Sequence, residues 1–118
     1  MRNMSFMLTT EQIRNRTKIV TRRLGWKKLK VGEVVRACKK CMGLKKGEQV
    51  EMLSLILIID VRREPLSNML IIPRYGKSEC IKEGFPNLTP YEFVKFFCES
   101  HNNCSPDDYV TRIQFDYI

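Results

Sequence analysis

Glu48-Gln49-Val50-Glu51-Met52-Leu53-Ser54-Leu55-Ile56-Leu57-Ile58-Ile59-Asp60-Val61-Arg62-Arg63 is the stretch whose reading decides the fold. Its centre, Leu55 to Ile59, is an unbroken apolar run, too short for a stable solo helix and rich in β-branched residues. It therefore predicts a buried central strand. Arg62-Arg63-Glu64-Pro65 closes it, because proline has no N–H to give a sheet ladder.

Shorter elements lie on both sides. Upstream, Asn3 to Leu8 reads as a first strand, and Thr9-Thr10-Glu11-Gln12 has the Thr-x-x-Gln form of a capping box opening a short helix. Ile19 to Arg23 is strand-like and is broken at Leu24-Gly25-Trp26. Val34 to Ala37 predicts another strand, and Met42 to Gly47 a loop between strands. Downstream, Tyr75 to Glu83 has a helical pattern that stops at Gly84. Thr89-Pro90-Tyr91-Glu92 supplies an N-cap, a proline at the first helical position and a carboxylate three residues after the cap, so a second helix starts there. A final strand runs from Tyr109 to Ile118. This order predicts an α+β fold, a small mixed β-barrel with two or three short helices over one opening.

The chain of 118 residues, 43% hydrophobic, suits a single domain over residues 1–118. Its net charge of +8 is unevenly spread. Residues 1–40 carry twelve Lys and Arg against Glu11 and Glu33, a net +10; the remainder carry nine against eleven, a net −2. Such polarity fits the footprint of a polyanion, although a solvated basic face has the same composition. The longest apolar run, Leu53 to Ile59, ends at Asp60, far below the roughly 20 residues of a membrane helix. With no secretory or membrane signal, the expected location is cytoplasmic, with no membrane partner and five reduced cysteines.

The positive charge is densest in Arg14-Asn15-Arg16-Thr17-Lys18-Ile19-Val20-Thr21-Arg22-Arg23, which contains five cations, two hydroxyls and no carboxylate. Arginine offers a rigid fork of donors for phosphate or carboxylate, and a desolvated lysine can serve as a base. The spacing Lys18-x-x-Thr21-x-Arg23, followed by Leu29-Lys30-Val31-Gly32-Glu33, by Glu83-Gly84-Phe85 and by the closing strand Val110 to Phe115, resembles the signature of the ASCH domain family. Met7 to Trp26, with Met42 to Glu48, is most similar to the small ASCH proteins of bacteriophages and prophages, which would put the protein in a host cytoplasm. The resemblance implies a PUA-like β-barrel and a module that binds RNA or a modified nucleoside in a mouth lined by Lys18, Thr21, Arg23 and Glu83.

One branch of that family acts as an amidohydrolase on cytidine acylated at its exocyclic amine. Carried over by position, its lysine, threonine and glutamate fall on Lys18, Thr21 and Glu83. A neutral Lys18 would take the proton of the Thr21 hydroxyl as it attacks the acyl carbonyl, and Glu83 would orient the lysine or protonate the departing amine. Residues three apart on a regular strand face opposite ways, so the trio assembles only if Lys18 precedes the strand or a bulge intervenes. A ribonuclease is a further option in the family, but without a histidine pair Lys18 and Glu83 would have to do its acid and base work. A different class again is a protein-interaction module whose basic residues 1–40 bind acidic groups of a partner.

For nucleic acid, Arg16, Arg22, Arg23, Lys28, Lys30, Lys39 and Lys40 are the candidate phosphate contacts, with Lys27 and Arg36 beside them. Trp26, Tyr75 and Phe85 are candidate stacking surfaces, although a lone tryptophan is more often a core anchor than a lid over a ligand. No cofactor is required. The cysteines raise one alternative, a structural zinc on Cys41, Cys98, His101 and Cys104, suggested by Cys38-x-x-Cys41 and Cys98-x-x-His101-x-x-Cys104. A reduced cysteine after Phe96-Phe97 is as readily a small hydrophobe, and Cys80 reads as core.

Overall fold

In the computed structural model, which describes residues 1–118, the apolar stretch is the longest strand of a five-stranded mixed sheet. The strands are β1 (Asn3–Ser5), β2 (Val20–Arg23), β3 (Val34–Cys38), β4 (Met52–Pro65) and β5 (Tyr109–Tyr117), in the order β1-β3-β4-β5-β2. Only β1 and β3 run parallel; every other neighbouring pair is antiparallel. As expected, β4 sits centrally and ends at Pro65, which pairs with Tyr109. A register shift between Ile58 and Asp60 lets the strand bend, as bulges do.

The sheet curls until its two edge strands face each other. No backbone ladder joins β1 to β2, and a side chain spans the seam: Arg23 Nη2 donates to the Ser5 carbonyl at 2.7 Å, with its guanidinium 4.7 Å above the Phe6 ring. Inside the curl lies a core of Met4, Phe6, Ile13, Leu29, Val35, Ala37, Ile56, Ile58, Ile113 and Phe115. Each fully buried large side chain contributes about 1.5–3 kcal/mol. Trp26 packs half-buried against this core with Arg2 stacked on it at 4.9 Å, so the core role holds.

Four α-helices complete the fold: α1 (Thr10–Arg14), α2 (Asn68–Ile71), α3 (Pro73–Lys82) and α4 (Pro90–Glu99). The last three enclose a second core of Leu66, Met69, Cys80, Phe93, Val94 and Phe97 with Val110 of β5. None is long and apolar enough to cross a membrane. The capping box predicted at Thr89 forms in full, with Glu92 N–H donating to Thr89 Oγ1 and Thr89 N–H to Glu92 Oε1. Thr89→Ala should cost about 1 kcal/mol in chemical denaturation.

Two local expectations are corrected. The first strand stops at Ser5, and a 3₁₀ turn over Met7–Thr9 replaces its second half. The capping box at Thr9 does not form, because Thr9 makes no side-chain cap and Gln12 reaches instead to the Gly84 carbonyl at 3.4 Å. The sequence reading also passed over α2, which is only four residues long. Gly76 is what lets α3 lie against α2: a Cβ there would meet the Met69 carbonyl oxygen at 2.0 Å and Pro90 Cγ at 2.9 Å. Gly76→Ala should therefore lower stability by about 1–3 kcal/mol, read from the urea midpoint, despite alanine's better helix propensity.

Candidate functional site

The site begins where the chain enters β2. Lys18 lies in the connection before the strand, so the alternation that would have turned it away from Thr21 does not apply. Backbone bonds on both sides clamp the connection: Ile19 N–H donates to the Lys82 carbonyl at 2.8 Å, and Phe115 N–H to the Ile19 carbonyl at 3.0 Å. The Tyr117 hydroxyl donates to the Lys18 carbonyl. Gly84, at φ 93°, ends α3 against this segment; a Cβ would meet Gln12 Cγ at 2.7 Å and Lys18 Cβ at 3.3 Å. Glu83 is thereby delivered to Lys18.

The pair is buried and tight. Lys18, 2% exposed, donates from Nζ to Glu83 Oε1 at 2.6 Å and to the Glu83 carbonyl at 2.9 Å. Burial pulls the lysine below its ordinary pKa, opposed by Glu83 and reinforced by Arg23 and Arg22. Thr21 and Arg23 share one face of β2, and Arg23 Nε donates to Thr21 Oγ1 at 3.2 Å. Lys18 Nζ makes no hydrogen bond to Thr21; its bonds go to Glu83.

Lys18, Thr21, Arg23 and Glu83 line one cavity of about 230 Å³. Phe85, Phe93, Phe96 and His101 form a largely aromatic wall, and Met7 and Leu8 of the 3₁₀ turn, both exposed, stand at its rim. Phe85 packs on Phe96 with ring centroids 5.4 Å apart and on Phe93 at 6.0 Å. The cavity therefore joins a charged floor to an apolar wall. Its size is below the ~300–1,000 Å³ usual for drug-sized ligands.

Arg22 also borders the cavity, but its guanidinium is fully buried and committed to α3. Nη1 donates to Glu83 Oε2 at 3.0 Å, and Nη2 to Glu79 Oε1 at 2.6 Å and to the Tyr75 hydroxyl at 3.0 Å. Nε is its one nitrogen without a protein partner. As a freely presented phosphate contact Arg22 is corrected to a positioning residue. Tyr75 is corrected in the same way: its hydroxyl donates to Glu64 at 2.8 Å and accepts from Arg22 and Arg62, so it belongs to the network rather than to a stacking surface.

Behind Arg22 the network continues. Arg112 donates to Glu79 through Nε at 2.6 Å and Nη2 at 3.0 Å, and its Nη1 reaches Asp60 at 3.2 Å. Burial alone would raise the Glu79 carboxyl, but Arg112 and Arg22 outweigh it and bring it to about 2 from 4.5. With the folded pKa the lower one, this stabilisation is complete above about pH 4.5 and lost as pH falls toward 2. A urea midpoint that declines through this window, and less steeply in Glu79→Gln, is the expected result.

The network escaped the sequence reading although Tyr75, Glu79 and Glu83 recur at four-residue intervals, the spacing of one helix face. The aromatic wall is only partly legible in the sequence: Phe85 is a candidate stacking surface, whereas Phe93 and Phe96 lie within α4, where aromatic residues read as helix packing. The other basic candidates do not line the cavity. Arg16 is exposed, its guanidinium 5.4 Å from the Tyr117 ring centroid, and Lys28 and Lys30 are exposed on the connection to β3. Lys39 and Lys40 line a second, smaller hollow with Met7, Leu44, Glu48, Gln49 and Glu51. Trp26 is not part of the cavity wall.

The zinc set is also corrected. No three His, Cys, Asp or Glu side chains converge as metal ligands. Cys98 and Cys104 are neighbours, but His101 Nδ1 is bound to the Phe97 carbonyl at 2.7 Å, and Cys41 lies after β3 beside Cys38.

No protein-family model and no curated protein matches the sequence. The match lies in shape. The ASCH domain structure from Lactobacillus crispatus superposes with a TM-score of 0.63 at 12% identity, covering 98% of this chain and 78% of that one. The hypothetical protein PH0355 gives 0.64 at 16% identity, over 99% and 96%. Protein EF3133 from Enterococcus faecalis, described as DUF984, gives 0.60 at 18%, over 99% and 78%. The chain thus has the α+β fold of an ASCH domain, as the motif resemblance implied.

Proposed function

We propose that this protein is an ASCH-family module whose cavity holds a nucleoside, either free or as one unstacked base of single-stranded RNA. The observation that carries this reading is the buried Lys18–Glu83 pair, with Thr21 and Arg23, facing the Phe85 and Phe96 rings across one small cavity. A nucleobase needs both surfaces, an apolar face to stack on and donors and acceptors for its edge. Charged groups inside a half-closed cavity also gain strength from the lower local dielectric. The exposed cations Lys27, Lys28, Lys30 and Lys39 then attract the phosphates that remain outside.

The test is a fluorescence polarisation titration of short single-stranded RNA at several salt concentrations, with nucleosides as competitors. Affinity that falls as salt rises, together with competition by a free nucleoside, supports the reading. A flat salt dependence and no competition would remove it.

A second reading, amide hydrolysis of acylated cytidine by Lys18, Thr21 and Glu83, is favoured by one observation: a desolvated lysine with a lowered pKa shares the cavity with a hydroxyl. In that reaction Thr21 Oγ1 attacks the acyl carbon, its proton passes to the neutral Lys18 amine and then to the leaving cytidine nitrogen, and water releases the acyl group from threonine. Lys18 would have to exchange a Glu83 contact for one to Thr21. Acetate release from acetylated cytidine by wild type, abolished in Lys18→Ala, is the expected result of this reading; no release by wild type rejects it.

A further inference from the structure

Two of the five free cysteines touch, at the end of the helix that walls the cavity. Cys98 lies in the last turn of α4, and Cys104 lies past a reversal in which Asn103 takes a φ of 54°. Their Sγ atoms are 3.0 Å apart, and both residues are partly exposed. The other cysteines are placed differently. Cys38 neighbours Cys41, but its thiol is sealed in the sheet 3.6 Å from the Arg36 carbonyl, and Cys80 is buried in the helical core.

In sequence, His101 lies midway between the two cysteines. Its Nδ1 lies 2.7 Å from the Phe97 carbonyl, which can only accept, so Nδ1 carries the proton. The imidazole is stacked on Phe97 at 4.3 Å and 27°, and it forms part of the cavity wall. The thiol pair therefore brackets a turn that borders the candidate site.

We propose that Cys98 and Cys104 are a reversible redox site, and that the disulfide formed on oxidation pins the His101 turn to the end of α4. The sulfurs need close by only about 1 Å to bond. With a peroxide as oxidant, one thiolate attacks the O–O bond and becomes a sulfenic acid, releasing one water. The second thiol then displaces the sulfenic hydroxyl as another water. The pair gives up two electrons and two protons, and the peroxide takes both. Burial and the adjacent Cys98 thiol push Cys104 up to about 12, and the product is the same disulfide whichever thiol is oxidised first. A thiol reductant reverses the bond by exchange. None of this depends on what the cavity binds.

The test uses the full chain, treated with an equivalent of hydrogen peroxide, alkylated and mapped by mass spectrometry. The expected product is a single cross-link between Cys98 and Cys104, a thiol titre lowered by two, and a Tm raised by about 5 °C through closure of the short loop. Dithiothreitol should restore all three. Cys98→Ser and Cys104→Ser should melt like the reduced wild type and gain nothing on oxidation. A cross-link between Cys38 and Cys41, over-oxidation of Cys98 without a cross-link, or five thiols left intact would each overturn the proposal.

Discussion

Replacing Glu79 with glutamine should lower the free energy of unfolding by about 3–5 kcal/mol, the cost of leaving a buried charge without its partner. Glu79, 1% exposed, receives Arg22 at 2.6 Å and Arg112 at 2.6 and 3.0 Å. An amide keeps one acceptor oxygen and turns a donor group toward two guanidiniums that have nowhere to move. The comparison variant is Glu99→Gln, whose exposed partner Lys95 lies at 4.0 Å and whose loss should change stability by less than about 0.5 kcal/mol. Chemical denaturation of the two variants beside wild type checks the contrast. Equal, small effects would mean that the Arg22 and Arg112 cluster is not a structural unit.

The second large effect concerns the cavity floor. Lys18→Met removes the ammonium 2.6 Å from Glu83 while keeping most of the stem. Arg22, at 3.0 Å, remains as the second partner of Glu83, so the fold should persist. If the proposed function is right, cytidine or adenosine affinity should fall about 100-fold, equivalent to 2–3 kcal/mol for truncating one member of a buried charged pair. Lys27→Ala with Lys28→Ala should leave nucleoside affinity unchanged, weaken RNA binding and reduce its salt slope, because both side chains are exposed and outside the cavity. Calorimetry with nucleoside and with RNA separates the two contributions.

What could be read from the sequence was whatever local chemistry dictates. Pro65 has no N–H to extend the ladder and stands at the end of β4, Gly84 stops a helix by taking a φ that other residues resist, and Thr89 to Glu92 carries a self-contained cap. The apolar run from Leu55 to Ile59 reads as a central strand, and it is one, but it is buried on one face only, at Ile56 and Ile58, with Ile59 exposed on the other. The motif resemblance led to Lys18, Thr21, Arg23 and Glu83, and these share a cavity because Lys18 lies ahead of β2.

What could not be read depended on tertiary choice. Thr9 to Gln12 has the letters of a cap, but Gln12 is drawn to the Gly84 carbonyl 72 residues away. Arg22 and Arg23 are adjacent in a basic run, and strand alternation sends one into a buried carboxylate cluster and the other across the seam to Ser5. Composition scored both as phosphate contacts. The cysteine spacing was likewise read as a ligand set, whereas the fold leaves Cys41 with the sheet and pairs Cys98 with Cys104.

The central claim is that a base enters between the Lys18–Glu83 floor and the Phe85 and Phe96 wall. The most direct measurement is a titration of isotope-labelled protein with a nucleoside, followed by amide chemical shifts. The account predicts saturable shifts at Thr21, Arg23, Glu83, Phe85 and His101, with little change at Lys27, Lys28 or Lys30. Shifts confined to those exposed lysines, or no saturable shift at all, would contradict it.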